Sequence, residues 1–204
     1  MIEAQISAIF PTPIYKAKLD RKFTEQELRF VDDMKTKSVQ NIGNKYSANK
    51  YVLNHPSVAT LKKEIDLFLE DYFFKILLTP QTISPYITQS WINYTETNEY
   101  HHVHSHPNSY LSGVLYINAD KAHDKITFTH NRYDQIKLSN TKWNLFNSDS
   151  WFYPVGSGDI VIFPSRLNHL VGVKKGKNTR VSLSFNVFVK GNLDPTGTLA
   201  ELKI

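Results

Sequence analysis

The sequence contains no cysteine among its 204 residues. That absence excludes disulfide bonds, zinc–thiolate sites, iron–sulfur clusters and thiol nucleophiles. Any metal that the protein binds must therefore be held by nitrogen and oxygen ligands.

Long hydrophobic runs are absent as well, because no stretch of eighteen or more apolar residues occurs. The first six residues lack the basic region and apolar run of a signal peptide. The formal net charge is only +5, and the lysines are spread among acidic residues along the whole chain. We expect a soluble, cytoplasmic protein with no membrane contact, for which nucleic-acid binding is permitted but not indicated.

Two segments in the first 80 residues predict helices. The first is expected from about residue 24 to about residue 40, because Thr24-Glu25-Gln26-Glu27 matches a capping box, and Leu28, Val31 and Met34 would form its inner face. The second is expected from Pro56 to about residue 76, with apolar residues at helical spacing that would pack against a sheet.

The remainder of this N-terminal part predicts a strand and a loop. Residues 5–19 have a β-like pattern interrupted by Pro11 and Pro13, which is typical of an edge strand. Residues 41–54 are rich in asparagine, glycine and serine and predict a loop.

After residue 80 the sequence consists of short β-prone runs separated by turns. The runs cover residues 89–94, 110–117, 125–130, 159–164 and 181–189. Many short strands separated by turns predict a sandwich or barrel. The length fits one domain, with an N-terminal strand and helical extension (1–80), a β core (81–190) and a C-terminal tail (191–204). The basic segment Lys174–Lys177 is expected to be a solvated hairpin tip.

Half of the eight histidines lie in the segment His101-His102-Val103-His104-Ser105-His106, between two β-prone runs. Side chains alternate along a strand, so His102, His104 and His106 would point one way and His101, Val103 and Ser105 the other way. Histidine is the commonest metal ligand in proteins. The pattern therefore predicts a metal site on one face of this segment.

Further residues along the chain extend this pattern. His169 is expected just beyond a strand that breaks at Pro164, and Arg180 and Ser182 would share one face of the next strand. A His-x-His pair, a distant histidine and an Arg-x-Ser motif together form a constellation.

This constellation resembles the 2-oxoglutarate- and Fe(II)-dependent oxygenases. More narrowly, residues 89–189 resemble a subfamily of oxygenases from bacteria and tailed phages, and a phage origin would place the protein in the host cytoplasm. The shared motifs are His104-x-His106-Pro107-x-Ser109, Leu111-Ser112-Gly113-Val114-x-Tyr116, Phe163-Pro164-Ser165 and Arg180-x-Ser182-x-x-Phe185-Asn186. The resemblance implies a mainly β, double-stranded β-helix (jelly-roll, cupin-like) fold with the N-terminal helices packed on the sheet.

The resemblance also implies roles for individual residues. Iron would be held by His104, His106 and His169. Arg180 and Ser182 would bind the distal carboxylate of 2-oxoglutarate, the guanidinium through two parallel charge-assisted hydrogen bonds.

Asn93 and Tyr116 are further candidates for contacting the cosubstrate, although a strand-end asparagine and a core tyrosine are their ordinary alternatives. The family usually has Asp or Glu where this chain has His106. In an alternative register His102 and His104 bind the metal, and His106 lines the pocket or contacts the substrate.

The implied activity is hydroxylation of a second substrate, with 2-oxoglutarate converted to succinate and CO2. The residues leave two alternatives open: a zinc hydrolase or lyase with a three-histidine site, and a non-catalytic, metal-containing binding module of the same fold. The substrate would be a small molecule or a peptide, and a homodimer is compatible with the sequence. Asn131–Tyr153, rich in aromatics, predicts either a lid or substrate-binding loop or an ordinary surface connection.

Overall fold

In the residues that the structure describes, the fold is built from eleven strands and two α-helices. The computed structural model describes residues 3–130, 138–194 and 197–204. The elements are β1 (Tyr15–Lys18), α1 (Glu25–Thr36), β2 (Ser38–Gln40), β3 (Lys45–Ser47), α2 (Ala59–Asp71), β4 (Ser84–Thr95), β5 (His101–His104), β6 (Leu111–Asn118), β7 (Lys125–Thr129), β8 (Ser150–Pro154), β9 (Asp159–Pro164), β10 (Asn168–Val171) and β11 (Arg180–Lys190). Two 3-10 turns, Val52–Asn54 and Pro56–Val58, precede α2, and a π-helical turn, Tyr72–Ile76, follows it.

The strands form two antiparallel sheets. The larger sheet has the order β1-β9-β6-β11-β4-β3-β2, and the smaller one has the order β5-β10-β7-β8. Such a double-sheet jelly roll buries two layers of side chains, one between the sheets and one under the helices. The predicted mainly β jelly-roll class is confirmed.

The alternation of side chains along β9 shows how the two layers arise. Ile160 and Ile162 belong to the core that the larger sheet shares with the helices, whereas Val161 and Phe163 pack with Ile126 and other residues between the sheets. Both faces of this strand are apolar because both are covered. Among the described residues, no helix is both long and apolar enough to cross a membrane.

The start of the first helix is confirmed by its capping box. The Glu27 amide donates to Thr24 Oγ1 at 3.2 Å, and the Thr24 amide donates to Glu27 Oε2 at 2.8 Å. The predicted end and inner face are partly wrong: the helix stops at Thr36 and Leu28 is exposed, while Phe30 and Val31 are buried.

Several predicted boundaries in the N-terminal part also change. The edge strand β1 begins only at Tyr15, and Ile6, Ile9 and Phe10 before it are exposed. The predicted loop 41–54 contains β3, which pairs with β4 at Lys45 opposite Tyr94. A partner strand far along the chain supplies the hydrogen bonds here, so local composition does not indicate this strand.

Two strands of the smaller sheet were not predicted. β10 contains His169, which was expected beyond a strand end, and β8 contains Trp151 and Phe152, which were expected in a loop. Residues 131–137 of that predicted loop lie outside the described residues. Trp143 and Phe146 in the described remainder are exposed, and a role as a lid stays a prediction.

Candidate metal centre

The histidine segment is positioned by a β-bulge. β5 pairs with β10 so that His104 lies opposite His169, and His101 lies opposite Val171. Three steps along β5 thus correspond to two steps along β10, and the extra residue reverses the alternation of side chains. His101 therefore lines the same cavity as His104, contrary to the simple alternation expected from the sequence, and Val103 is exposed.

His104, His106 and His169 come together at this point. Each offers one ring nitrogen, and these three nitrogens lie within 4.8 Å of one another. His102 does not line the cavity and instead contributes its backbone carbonyl. Three convergent nitrogens are a donor set that suits Fe(II), zinc, copper or nickel.

Backbone carbonyls orient two of the three rings. His104 Nδ1 lies 2.8 Å from the His102 carbonyl oxygen, and His169 Nδ1 lies 3.0 Å from the Leu167 carbonyl oxygen. A carbonyl oxygen only accepts, so each Nδ1 carries the proton and donates it. Each Nε2 therefore retains its lone pair, which is the arrangement that a metal-binding histidine needs.

His106 lies on the segment after β5 and is held by a network of hydroxyl groups. Its amide donates to the Ser165 carbonyl at 3.0 Å. Ser165 Oγ lies 2.8 Å from both Ser112 Oγ and Ser109 Oγ, and Ser112 Oγ donates to Asn186 Oδ1 at 3.0 Å. These motif residues thus tie the His106 segment to β6, β9 and β11.

Burial keeps the clustered imidazoles neutral. Desolvation is the main cause that lowers the pKa of His106 to about 4, of His101 to about 3 and of His169 to about 2, with nearby histidines adding to the effect. Desolvation also lowers the pKa of His104. Neutral imidazole is the form that coordinates a metal ion, so this cluster is ready to bind one at neutral pH.

The same cavity contains Arg180, which is only 3% exposed. Its Nη1 lies 3.4 Å from Asp124 Oδ1, and Lys174 Nζ lies 3.9 Å from the same oxygen. Asp124 Oδ2 also accepts from the Asp120 amide at 2.8 Å. Two cations and one anion leave this buried cluster with a net charge of +1, which favours an anionic ligand.

The prediction that Lys174 lies on a solvated tip is wrong, because this residue is 1% exposed. Its amide donates to the Glu99 carbonyl at 2.8 Å, and its Nζ donates to Asn178 Oδ1 at 2.9 Å. Lys175 and Lys177 beside it are exposed as expected. The segment is a loop and not a hairpin, because β10 before it and β11 after it lie in different sheets. The loop folds Lys174 inward because its ammonium group finds acceptors there.

Three further candidates for binding the cosubstrate lie on adjacent strands. Ser182 on β11 lies opposite Asn93 on β4 and opposite Tyr116 on β6, and all three line the cavity. Burial raises the pKa of Tyr116, whose hydroxyl therefore stays protonated.

Asn93 Nδ2 donates to Ser184 Oγ at 2.9 Å, and its buried Oδ1 has no hydrogen-bond partner. Turning the amide over would let Oδ1 accept from the Ser184 hydroxyl and would aim the Asn93 NH2 group elsewhere as a donor. The side chain can thus present a donor to a carboxylate.

Sequence reasoning missed His101, Asp124 and Lys174 as members of this site. His101 depends on a bulge that no sequence pattern reveals, and Asp124 lies in a turn before β7. Lys174 stands among other lysines, with no local signal that it alone is buried. All three acquire their places through contacts with residues distant along the chain.

The family described as "Putative 2OG-Fe(II) oxygenase" matches residues 89–186. No curated protein matches the chain. The matched segment contains the three clustered histidines, Asp124, Lys174 and Arg180.

Solved structures share the fold at low sequence identity. The non-heme alpha-ketoglutarate-dependent epimerase SnoN from nogalamycin biosynthesis is 14% identical with a TM-score of 0.62, over 92% of this chain and 81% of that chain. A 2OG-Fe(II) oxygenase-family oxidoreductase from Burkholderia pseudomallei is 14% identical with a TM-score of 0.55, over 84% and 83%. HygX from Streptomyces hygroscopicus is 12% identical with a TM-score of 0.55, over 91% and 84%. These likenesses show the jelly-roll fold.

Proposed function

We propose that the chain is a member of the 2OG-Fe(II) oxygenase superfamily, whose motifs match residues 89–186, and that it is a dioxygenase that hydroxylates a small molecule or a peptide. The reaction would convert 2-oxoglutarate and dioxygen into succinate and CO2, and would place one oxygen atom in a C–H bond of the second substrate. One observation carries the proposal: a single cavity is lined by three convergent, neutral imidazoles and by Arg180, whose buried ion cluster with Asp124 and Lys174 has a net positive charge.

We assign the metal to His104, His106 and His169. The support is that their nitrogens converge, whereas His102 lies outside the cavity lining. Three neutral ligands leave a bound Fe(II) with its full charge of +2, which the dianion 2-oxoglutarate balances. When bound, Fe(II) supplies dioxygen activation coupled to decarboxylation of the cosubstrate.

We assign the distal carboxylate of 2-oxoglutarate to Arg180 and Ser182. The guanidinium is planar and permanently charged, and in the described residues its side-chain hydrogen bonding is limited to one long bond to Asp124. It therefore keeps donors for a carboxylate. Asn93 and Tyr116, which lie across from Ser182, would add a donor each.

Similar structures support the choice of cofactors. SnoN has been crystallised with Fe3+ and alpha-ketoglutarate, and HygX with nickel and 2-oxoglutarate. The zinc-hydrolase alternative gives no reason to bury Arg180 in the same cavity as the histidines.

The test is to measure succinate by mass spectrometry after incubating the protein with Fe(II), 2-oxoglutarate and air. Cosubstrate turnover without the second substrate is expected to be slow but metal-dependent. His104→Ala, His169→Ala and Arg180→Met should abolish it, because they remove a ligand or the carboxylate partner. His123→Ala is the matched control, since the His123 side chain is 52% exposed.

Two results would refute this function. One is succinate formation that persists in His104→Ala and His169→Ala. The other is an active Zn(II)-loaded protein that hydrolyses model esters or amides and produces no succinate with Fe(II). Candidate small molecules and peptides can then be screened for a mass increase of one oxygen atom, which decides the substrate class.

A further inference from the structure

Asp124 is shared between two buried cations. Its Oδ1 lies 3.4 Å from Arg180 Nη1 and 3.9 Å from Lys174 Nζ, and all three side chains are almost completely buried. An Asp124 paired with Arg180 alone would neutralise the guanidinium and weaken its attraction for any carboxylate in the cavity. Lys174 restores the positive charge of the group.

The loop between β10 and β11 that carries Lys174 is shaped around its ammonium group. Lys174 Nζ donates to the Gly176 carbonyl at 3.1 Å and to Asn178 Oδ1 at 2.9 Å. A Cβ at position 176 would lie 2.8 Å from Lys174 Nζ and 2.9 Å from Asn178 Oδ1. Glycine at 176 thus leaves the space that the buried ammonium group occupies.

We propose that Lys174 is the counter-ion of Asp124 and thereby keeps Arg180 available to the cosubstrate carboxylate. Lys174 is a positioning residue: it acts through Asp124 and the charge of the cluster, and it need not touch the cosubstrate. This inference rests on the proposed function for its ligand. It adds that binding of the carboxylate depends on the charge of Lys174 as well as on Arg180 and Ser182 of the Arg-x-Ser motif.

The experiment compares Lys174→Met, Asp124→Asn and the double variant Lys174→Met/Asp124→Asn. Calorimetric titration of the Mn(II)-loaded proteins with 2-oxoglutarate measures the dissociation constant. Lys174→Met makes the cluster neutral and should weaken binding about tenfold. The double variant returns the cluster charge to +1 and should bind within about threefold of the wild type.

The control is Lys177→Met, which removes an exposed lysine from the same loop and should leave binding unchanged. If Lys174→Met does not fold, Asn178→Ala replaces it, because it removes one acceptor of the ammonium group and should weaken binding in the same direction. The inference is overturned if Lys174→Met binds like Lys177→Met, or if the double variant is as weak as Lys174→Met.

A second measurement separates this inference from the proposed function. If the wild type does not bind 2-oxoglutarate, the proposed function fails, and unfolding of the metal-free variants still tests the ion pair. Favourable coupling between positions 124 and 174 in that double-mutant cycle supports the counter-ion role. Additive effects on the unfolding midpoint overturn it.

Discussion

Gly113→Ala is expected to destabilise the protein through a clash that the structure locates. Gly113 on β6 lies opposite Phe185 on β11, and an added Cβ would lie 2.1 Å from Phe185 Cζ and 2.4 Å from Cε2. Ordinary contacts begin near 3.4 Å, so the ring must move by more than 1 Å in a core where Phe185 is fully buried.

Overpacking of this kind costs about 1–3 kcal/mol of unfolding free energy. In a domain of this size each kcal/mol lowers the melting temperature by roughly 2–4 °C, so a decrease of about 2–12 °C is expected. Urea and thermal unfolding of the metal-free protein measure both quantities. Because Phe185 also lines the cavity, the displaced ring should change the affinity for 2-oxoglutarate as well.

Two variants make this prediction decisive. Gly172→Ala is the matched control, since an added Cβ there meets nothing within 4 Å. Phe185→Leu removes the ring atoms that clash, so Gly113→Ala/Phe185→Leu should lose less stability than the sum of the single changes. An unchanged melting temperature in Gly113→Ala, or strict additivity in the double variant, would refute the reasoning.

Three further predictions concern the metal centre, a helix cap and pH. His106→Asp should retain Fe(II)-dependent succinate formation and His106→Ala should lose it, whereas loss in His102→Ala with retention in His106→Ala would favour the other register. Thr24→Ala should lower the unfolding free energy by about 1 kcal/mol in urea, since it removes the cap of α1; an unchanged midpoint contradicts that role. The metal-free protein should lose stability as pH falls from 6.5 towards 4. The reason is that His106, His101 and His169 bind protons in this range in the unfolded chain, whereas burial lowers their pKa values in the folded protein. A melting temperature that stays constant over this pH range would contradict the conclusion that burial keeps these histidines neutral.

Local sequence determined some elements well. The Thr24–Glu27 capping box needs only four consecutive residues, and its reciprocal hydrogen bonds form as expected. The strand Asp159–Pro164 was predicted with its observed bounds, because a Gly-Ser-Gly turn and a proline delimit an apolar run. The bounds of β2 and β3 could not be predicted, since each has three residues, and β2 pairs only with β3, which itself depends on pairing with the distant strand β4.

By itself the sequence predicted many short strands of a sandwich or barrel, because strand and turn signals are local properties. The jelly-roll class and the candidate residue types of the site were implied by motifs that resemble an oxygenase family, and motif spacing is local as well. Tertiary structure decided which of these residues meet. A bulge in β5 turned His101 into the cavity, and the pairing of β5 with β10 placed His169 opposite His104. The path of the loop between β10 and β11 buried Lys174, one lysine of several, beside Asp124. Such outcomes depend on register and burial, which are set by contacts between residues far apart in the chain.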